Sequence, residues 1–309
     1  MHVCSWLLPW AMRNFYGSTR SLLLAVLVIG PLGCGSDEEV SPQFPELDAL
    51  DTTPDPSCSG TWVAGVTGRI VDENGAGVPA AFPQMCVRLA ENGFLSCLVP
   101  EPARDDGYFG QVIPADNRCM SDLNFRVFLG DSPYGTTYCR SDLRADDGIL
   151  SIGSPLVLYE VTPAADLPPE GDPEVSRTVV LADGLELDVI PAPLYGSYAE
   201  LGASRLDEST CFADESFDVL YALTPESLTF RFGTSEVGFP VRIPTSLPEG
   251  SVVDLYVLGG LDEFELQTGT TLTEGAFEKF GTGHVADGMI VSDPGSELPY
   301  LTWLGVRAQ

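Results

Sequence analysis

The sequence has little positive charge and almost no histidine. Its 309 residues include 15 lysines and arginines against 45 aspartates and glutamates, and Lys279 is the one lysine. Cations on phosphates supply most of the affinity of proteins for DNA and RNA, so a formal net charge of −30 excludes nucleic acid as a partner. Of the two histidines, His2 lies at the extreme N terminus, in the leader that is predicted below. His284 alone cannot supply a His-Glu-x-x-His zinc helix or a two-histidine metal site.

Recognisable catalytic motifs are also missing. There is no Gly-x-Ser-x-Gly elbow to pair with His284, which we interpret as a loop residue between two strands, and there is no phosphate-binding loop. We therefore expect no catalytic residue, no cofactor and no metal. Because carboxylates are so numerous, two alternatives stay open: a glycosidase-like carboxylate pair, and calcium held at an acidic turn. The acidic turns are Asp72–Asn74, Asp105–Asp106 and Asp146–Asp147.

The apolar run near the N terminus is too short to cross a membrane as a helix. Leu22–Ile29 is about eight residues long, whereas a spanning helix needs about 20. Arg13 and Arg20 precede the run, and small residues follow it up to Cys34. This arrangement predicts a secretory signal peptide over residues 1–33, with Met12 as an alternative start.

The junction at Cys34 resembles the lipobox of bacterial lipoproteins. Gly33 and Cys34 are followed at once by Gly35, Ser36 and a run of acids. The resemblance implies that Cys34 carries lipid, so that the membrane is a partner. Gly35 in place of Asp implies the outer membrane of a diderm bacterium. The alternative is an ordinary secreted chain, and in both cases the protein is extracytoplasmic. Residues 34–59 are acidic and proline-rich, which predicts a flexible tether.

Six cysteines follow Cys34, and none of them forms a Cys-x-x-Cys pair. An even number in an oxidising compartment favours disulfides over zinc. The first predicted pair lies at nearly equal distances from an Asn-Gly hairpin turn, the second brackets a predicted strand, and the third is left by subtraction. The predicted pairs are Cys86–Cys97, Cys119–Cys139 and Cys58–Cys211.

Alternating apolar and polar residues predict an all-β chain of two antiparallel β-sandwich domains. Glycine (32) and proline (25) are frequent, and apolar residues alternate in segments such as Trp62–Val71. Residues 60–161 resemble the carboxypeptidase regulatory-like (transthyretin-like) β-sandwich, on the matches Val66–Asp72, Gly75–Ala81 and Asp106–Phe109. That resemblance implies a sandwich fold and an accessory or binding role.

The second half of the chain begins after a predicted linker, residues 162–176. Residues 177–309 are predicted to form the second β-sandwich, which is similar to the ZU-type β-sandwich of cytoskeletal adaptors and netrin receptors. The matching segments are Leu223–Phe230, Phe239–Pro244 and Leu247–Gly250. This resemblance implies no catalytic residues. Within the same half, Ala199–Ser209 is predicted to be a short helix.

Two loops rich in glycine, serine and threonine each carry a pair of tyrosines. The pairs are Tyr134 with Tyr138 and Tyr195 with Tyr198. Such loops are typical of adaptable contact surfaces, and tyrosine rings also stack on sugars. We therefore predict that these four tyrosines contact a partner. The alternative is that they pack down and bond to nearby backbone, as in the tyrosine corner.

These features predict a non-catalytic cell-envelope lipoprotein that binds or scaffolds at the surface or in the periplasm. Its ligand would be an unknown protein or glycan. The competing hypothesis is an extracytoplasmic hydrolase that uses a carboxylate pair. A deep acidic cleft between the domains would favour the hydrolase, whereas two closed sandwiches would favour the binding module.

Overall fold

The computed structural model describes residues 44–309 apart from 131–134, 142, 144–147, 165–166, 170, 192–196, 207–215, 227–230, 233–234, 237, 261–265 and 267–268. These described residues belong to one compact unit. Their regular structure is nearly all β-strand, which confirms the predicted fold class. Among them there is no helix long and apolar enough to cross a membrane.

Among the described residues, the first sandwich contains nine strands and two short helices. The helices are α1 (Pro45–Asp48) and a 3-10 turn at Ala115–Asn117. The strands are β1 (Thr61–Trp62), β2 (Gly65–Val71), β3 (Phe82–Leu89), β4 (Leu95–Cys97), β5 (Tyr108–Val112), β6 (Cys119–Phe128), β7 (Thr137–Ser141), β8 (Ile149–Ser151) and β9 (Leu156–Val157).

Two small sheets enclose the core of the first sandwich. One has the order β1-β6-β3-β4 with β7 also paired to β6, and the other has the order β5-β2-β8 with β9 also paired to β2. Val66 and Ile70 of β2 meet Met85 and Phe125 of the facing sheet in one buried cluster, as the alternation predicted. The structure differs from the prediction in one respect, because β2 pairs in parallel with both β8 and β9.

The hairpin of β3 and β4 confirms the predicted register. Gly93 has a positive φ of 71°, and Asn92 Oδ1 accepts a hydrogen bond from the Phe94 N–H at 2.9 Å. This turn chemistry places Cys86 directly opposite Cys97.

The second sandwich contains twelve strands among the described residues. They are β10 (Thr162–Pro163), β11 (Arg177–Val180), β12 (Glu186–Val189), β13 (Gly202–Leu206), β14 (Val219–Thr224), β15 (Arg231–Phe232), β16 (Ser235–Glu236), β17 (Val241–Pro244), β18 (Val252–Leu258), β19 (Phe277–Ala286), β20 (Met289–Ser292) and β21 (Trp303–Ala308). Two 3-10 turns, Ala182–Gly184 and Ser197–Glu200, lie between them.

One antiparallel sheet of ten strands builds the second sandwich, in the order β10-β13-β14-β21-β18-β19-β20-β17-β12-β11. The sheet curls around a single core. Val253, Leu255 and Val257 of β18 point into this core, as their alternation predicted. The separate pair β15–β16 forms a small two-stranded sheet.

Two predictions for this half are wrong. The segment Ala199–Ser209 is not a helix where it is described: it is a 3-10 turn followed by β13, which pairs with β10 and β14. Sheet pairing, with Ala203 buried in the core, overrides the weak local helix pattern. Residues 162–176 are also not a free linker, because Thr162–Pro163 is a strand of the sheet and Leu167 packs on its core.

The predicted tether is wrong for its second part. Residues 44–58, here called the N-terminal strap, lie on the first sandwich. Phe44 and Leu47 are buried against Gly110 and Gly65, where an added Cβ would come within 2.5 Å of the Phe44 ring and 2.7 Å of Leu47. Two apolar side chains that dock where the strands lack side chains are enough to hold an otherwise acidic segment.

Candidate functional site

Four of the predicted site residues lie outside the described part of the chain. They are Cys34, Tyr134, Tyr195 and Cys211. The lipid anchor at Cys34 therefore stays a prediction, as do the contact roles of Tyr134 and Tyr195.

The contact interpretation is wrong for the other two tyrosines, because both are buried. Tyr138 is 0% exposed and its hydroxyl donates to Glu226 Oε1. Tyr198 is 6% exposed and its hydroxyl donates to the Pro168 carbonyl at 2.9 Å. Both rings fill space inside the protein while the hydroxyl finds a local acceptor, which is the packing alternative.

The disulfides confirm one predicted pair and correct the other two. Cys86 is bonded to Cys97, as predicted, whereas Cys58 is bonded to Cys119. The pairs Cys119–Cys139 and Cys58–Cys211 are therefore wrong. The strap explains the error: it returns to the start of β6, and there it brings Cys58 to Cys119. Cys139 is disulfide-bonded as well.

A shared apolar core joins the two sandwiches, and we call this region the joint. Tyr138 and Tyr159 from the first half pack with Leu220, Phe277 and Trp303 of the second half in one buried cluster. Trp303 is 1% exposed and meets Tyr159 edge-on at 5.5 Å between ring centroids. Its indole N–H donates to the Thr136 carbonyl at 3.0 Å. Among the described residues, the joint is therefore filled by apolar side chains.

A network of hydrogen bonds around Glu226 lies next to this core. Glu226, on the segment after β14, receives hydrogen bonds from Arg126 on β6, from the Thr136 hydroxyl at 2.8 Å and from the Tyr138 hydroxyl. Arg126 also donates to Gln84 Oε1 at 3.3 Å. A carboxylate of the second half is thus surrounded by donors of the first half. Partly buried charge-assisted bonds of this kind fix orientation as well as adding stability.

A cleft of about 540 Å³ opens between the strap and β1. The residues that line it include Trp62, Thr52, Thr53, Thr61 and Asp55. Its size lies in the range of small-molecule sites, which combine an aromatic or apolar wall with a few polar groups. Asp55 is the one carboxylate among the described residues that line it.

The strap is what shapes the cleft. Asp55 Oδ1 accepts hydrogen bonds from the Ser57 N–H at 2.8 Å and the Ser57 hydroxyl at 2.7 Å, and these bonds lower the pKa of Asp55 below its usual value. The guanidinium of Arg118 donates to the Asp51 carbonyl at 3.2 Å. Together with the Cys58–Cys119 bond, these contacts hold a charged acceptor at the rim. Sequence reasoning missed this cleft because it assigned the strap to a flexible tether; Phe44 and Leu47 within the acidic segment were the available signal.

Glu274 is a second site that the sequence did not reveal. Its side chain is 4% exposed, and neither carboxylate oxygen has a hydrogen-bond partner in the described structure. Burial raises the pKa of Glu274 to about 7. The neighbouring Gly275, with φ of 70°, lets the chain pass close to Asn124 of β6. No sequence pattern near Glu274 indicates its burial, because the groups around it belong to the other half of the chain.

The remaining sequence candidates have local structural roles. His284 lies in β19 and not in a loop, which corrects that prediction, and its Nδ1 is 2.8 Å from Asp293 Oδ1. Asp72 Oδ1 accepts the backbone N–H groups of Asn74 and Ala76, both at 2.8 Å, so it organises its own turn. Asp106 Oδ1 accepts the Tyr108 N–H at 3.1 Å in the same way. The turn at Asp146–Asp147 lies outside the described residues.

Comparison with known proteins gives little guidance. No protein-family model matches this sequence, and no curated protein matches it significantly. Among solved structures, the TIE protein of Bacillus anthracis is similar at 11% identity and a TM-score of 0.20. The match covers 80% of this chain and 45% of that chain, so this chain spans less than half the length of that protein. A TM-score this low carries no argument about fold or function.

Proposed function

We propose that this chain is a lipid-anchored protein of the cell envelope whose two sandwiches act as one rigid binding module. The observation that carries the proposal is the cleft between the strap and β1, with Trp62 and Asp55 in its walls. A preformed cleft costs little ordering entropy when a ligand enters, so a small ligand can bind with useful affinity.

The features of the leader and the joint support an extracytoplasmic scaffold. The apolar run that ends at Cys34 suits a lipid anchor, and disulfides such as Cys58–Cys119 suit an oxidising compartment. The filled joint ties the second sandwich to the first. The carboxypeptidase regulatory-like character of residues 60–161 and the ZU-type character of residues 220–309 belong to this proposal, as domains that bind and do not catalyse.

The chemistry of the cleft suits a ligand rich in hydroxyl groups, such as an envelope glycan. An aromatic ring offers a flat apolar surface to the face of a sugar, and the threonine hydroxyls both donate and accept hydrogen bonds. Asp55 is an ionised acceptor at neutral pH, as an exposed aspartate ordinarily is. Charge-assisted bonds from sugar hydroxyls to such a carboxylate are stronger than neutral ones.

The hydrolase alternative has less support. A deep acidic cleft between the domains would favour it, whereas among the described residues Trp303 and its neighbours fill the joint. The cleft beside the strap belongs to the first sandwich, and Asp55 is the one carboxylate among its described lining residues.

Tryptophan fluorescence tests the binding proposal. Trp62 and Trp303 are the only tryptophans after Trp10 in the sequence, and Trp303 is buried in the joint. Titration with soluble peptidoglycan fragments or chitotriose should change the emission of the full chain. Trp62→Phe should remove the change, and Asp55→Asn should weaken binding at least about tenfold. Asp116→Asn, an exposed change in the same sandwich, is the matched control and should leave binding unchanged.

Fractionation tests the anchor separately. Cys34→Ser should move the protein from the membrane fraction to the soluble fraction and abolish labelling by radioactive palmitate. A membrane-bound Cys34→Ser variant would refute the anchor, whatever the cleft binds.

A further inference from the structure

The Cys86–Cys97 disulfide lies beside the unpartnered carboxyl of Glu274. Sγ of each cysteine and a carboxylate oxygen of Glu274 all lie within 4.8 Å of one another. Cys86 is fully buried in the first sandwich, whereas Cys97 is exposed on β4, the edge strand of its sheet. The two residues of one bond thus differ strongly in their exposure to solvent, and an acidic group from the second sandwich is next to their sulfurs.

We propose that Cys86, Cys97 and Glu274 form a thiol–disulfide exchange site whose substrate is an external thiol. Attack falls on Sγ of Cys97, the exposed residue of the pair, and Glu274 donates its proton to the sulfur of the buried Cys86. This activity does not depend on the cleft or on its ligand.

The exchange takes two balanced steps. An external thiolate attacks Sγ of Cys97, the Cys86–Cys97 bond breaks, and its electron pair leaves on Cys86, which takes the proton of the Glu274 carboxyl. The mixed disulfide then reacts with a second external thiolate at the sulfur of the external thiol, which leaves Cys97 as a thiolate that takes a proton from water. Two external thiols are thereby oxidised to one disulfide, and the cysteine pair is reduced.

Burial explains why a proton donor matters here. A thiolate at Cys86 would be formed away from water, and desolvation disfavours the charged form. Glu274 supplies the proton at once because burial, which outweighs the opposing effect of Arg88 and Arg126, raises its pKa to about 7. Asp122 adds to the rise, and its own side chain is paired with Arg140 on β7. Arg88 on β3 and Asp122 and Arg126 on β6 are the charged groups among the described residues that act on the carboxyl.

The Cys58–Cys119 bond offers an internal control, since it belongs to the same sandwich. Among the described residues, no carboxylate oxygen lies within 4.8 Å of both of its sulfurs. The full chain, held in detergent, is treated with reduced glutathione from about pH 5.5 to about pH 8.5, a range that brackets a pKa of about 7. Acid quenching, alkylation and peptide mass spectrometry then give the reduction rate of each disulfide. Glu274→Gln removes the proton and keeps the shape.

We expect Cys86–Cys97 to be reduced at least about tenfold faster than Cys58–Cys119 near pH 6. This factor is smaller than the rate acceleration that a positioned acid typically contributes. The rate ratio of wild type to Glu274→Gln at Cys86–Cys97 should be largest at low pH and approach one above the pKa. A ratio that instead rises with pH would mean that ionised Glu274 merely opens the joint, and it would overturn the proposal. A ratio of one at every pH would also overturn it. If Glu274→Gln speeds reduction of Cys58–Cys119, the variant is misfolded and the wild type alone decides. An advantage of Cys86–Cys97 over Cys58–Cys119 that is largest at low pH then supports the proposal, and an advantage that does not change with pH overturns it.

Discussion

The two sandwiches reach a stable core by different routes. The first combines two small sheets around 19 buried side chains, and all five described cysteines lie within it or its strap. The second wraps one ten-stranded sheet around 27 buried side chains. The first sandwich thus supplements its core with two covalent links and a docked strap.

Two carboxylates of the second half, one within its sheet and one facing the first sandwich, also differ in their surroundings. Asp188 on β12 receives two hydrogen bonds from Arg242, at 2.9 and 3.0 Å, and these bonds lower its pKa. Glu274 is buried beside Cys86 and Cys97 and has no hydrogen-bond partner among the described residues, and burial raises its pKa. Acid should weaken the first arrangement, whereas alkali should weaken the second. The two regions thus predict opposite responses to pH.

The largest effect should come from Trp303→Ala, which empties the joint. Replacing a fully buried tryptophan costs about 3–5 kcal/mol, and here it also removes the bond to the Thr136 carbonyl. We expect urea unfolding to lose that much free energy and to separate into two transitions, one for each sandwich. Trp303→Phe is the control, because it keeps an apolar ring in place and should cost clearly less. A single unshifted transition in Trp303→Ala would mean that the joint does not couple the sandwiches.

Removing a disulfide should destabilise the first sandwich selectively. The chain-entropy model gives about 4 kcal/mol for the 61-residue separation of Cys58 and Cys119 and about 3 kcal/mol for the 11-residue separation of Cys86 and Cys97. Double Cys→Ser variants at each pair should follow that order in urea unfolding. Hydrogen exchange should show protection lost in β1–β9 before β11–β21; equal loss in both sandwiches would contradict the comparison.

Local patterns in the sequence were sufficient for the strands and one hairpin. Alternation located β2 and β18, and Asn92-Gly93 fixed the register that joins Cys86 to Cys97. The errors arose where contacts distant in sequence decide the structure. The docking of the strap needs Gly65 and Gly110 as well as Phe44, and Glu274 lies beside a disulfide almost two hundred residues earlier in the chain. No local pattern encodes such a meeting.

Glu274 should make the stability of the joint fall as pH rises. Its pKa is raised in the folded protein, so between about 4.5 and about 7 the folded state holds a proton that the unfolded chain has lost. Stability is therefore full below that window and decreases through it, by on the order of 2–3 kcal/mol in total. Urea unfolding at about pH 5 and about pH 8 should show this loss in wild type. In Glu274→Gln the loss should be smaller by that amount; an identical loss would mean that Glu274 is not buried in solution.

The smallest effect should come from Asp188→Asn, which tests the opposite arm of the pH comparison. Arg242 bridges Asp188 on β12 and Glu186 at 2.6 Å, and it also reaches the Thr178 hydroxyl on β11 at 3.1 Å. The pKa of Asp188 is lowered in the folded state, so its contribution is present above about pH 4 and is lost as pH falls below that value. These side chains are partly exposed, and Glu186 still pairs with Arg242 in the variant. We therefore expect Asp188→Asn to lower the free energy of unfolding by under about 1 kcal/mol near neutral pH. The difference in the free energy of unfolding between Asp188→Asn and wild type should shrink with added salt. It should vanish in acid once Asp188 is protonated, because the aspartic acid of wild type is then as neutral as the asparagine of the variant. Urea unfolding at neutral pH and at about pH 3 measures both values, with Asp287→Asn as an exposed control. If Asp188→Asn lost as much stability as Glu274 gives up between acid and alkali, the second sandwich would depend on charge as strongly as the joint does.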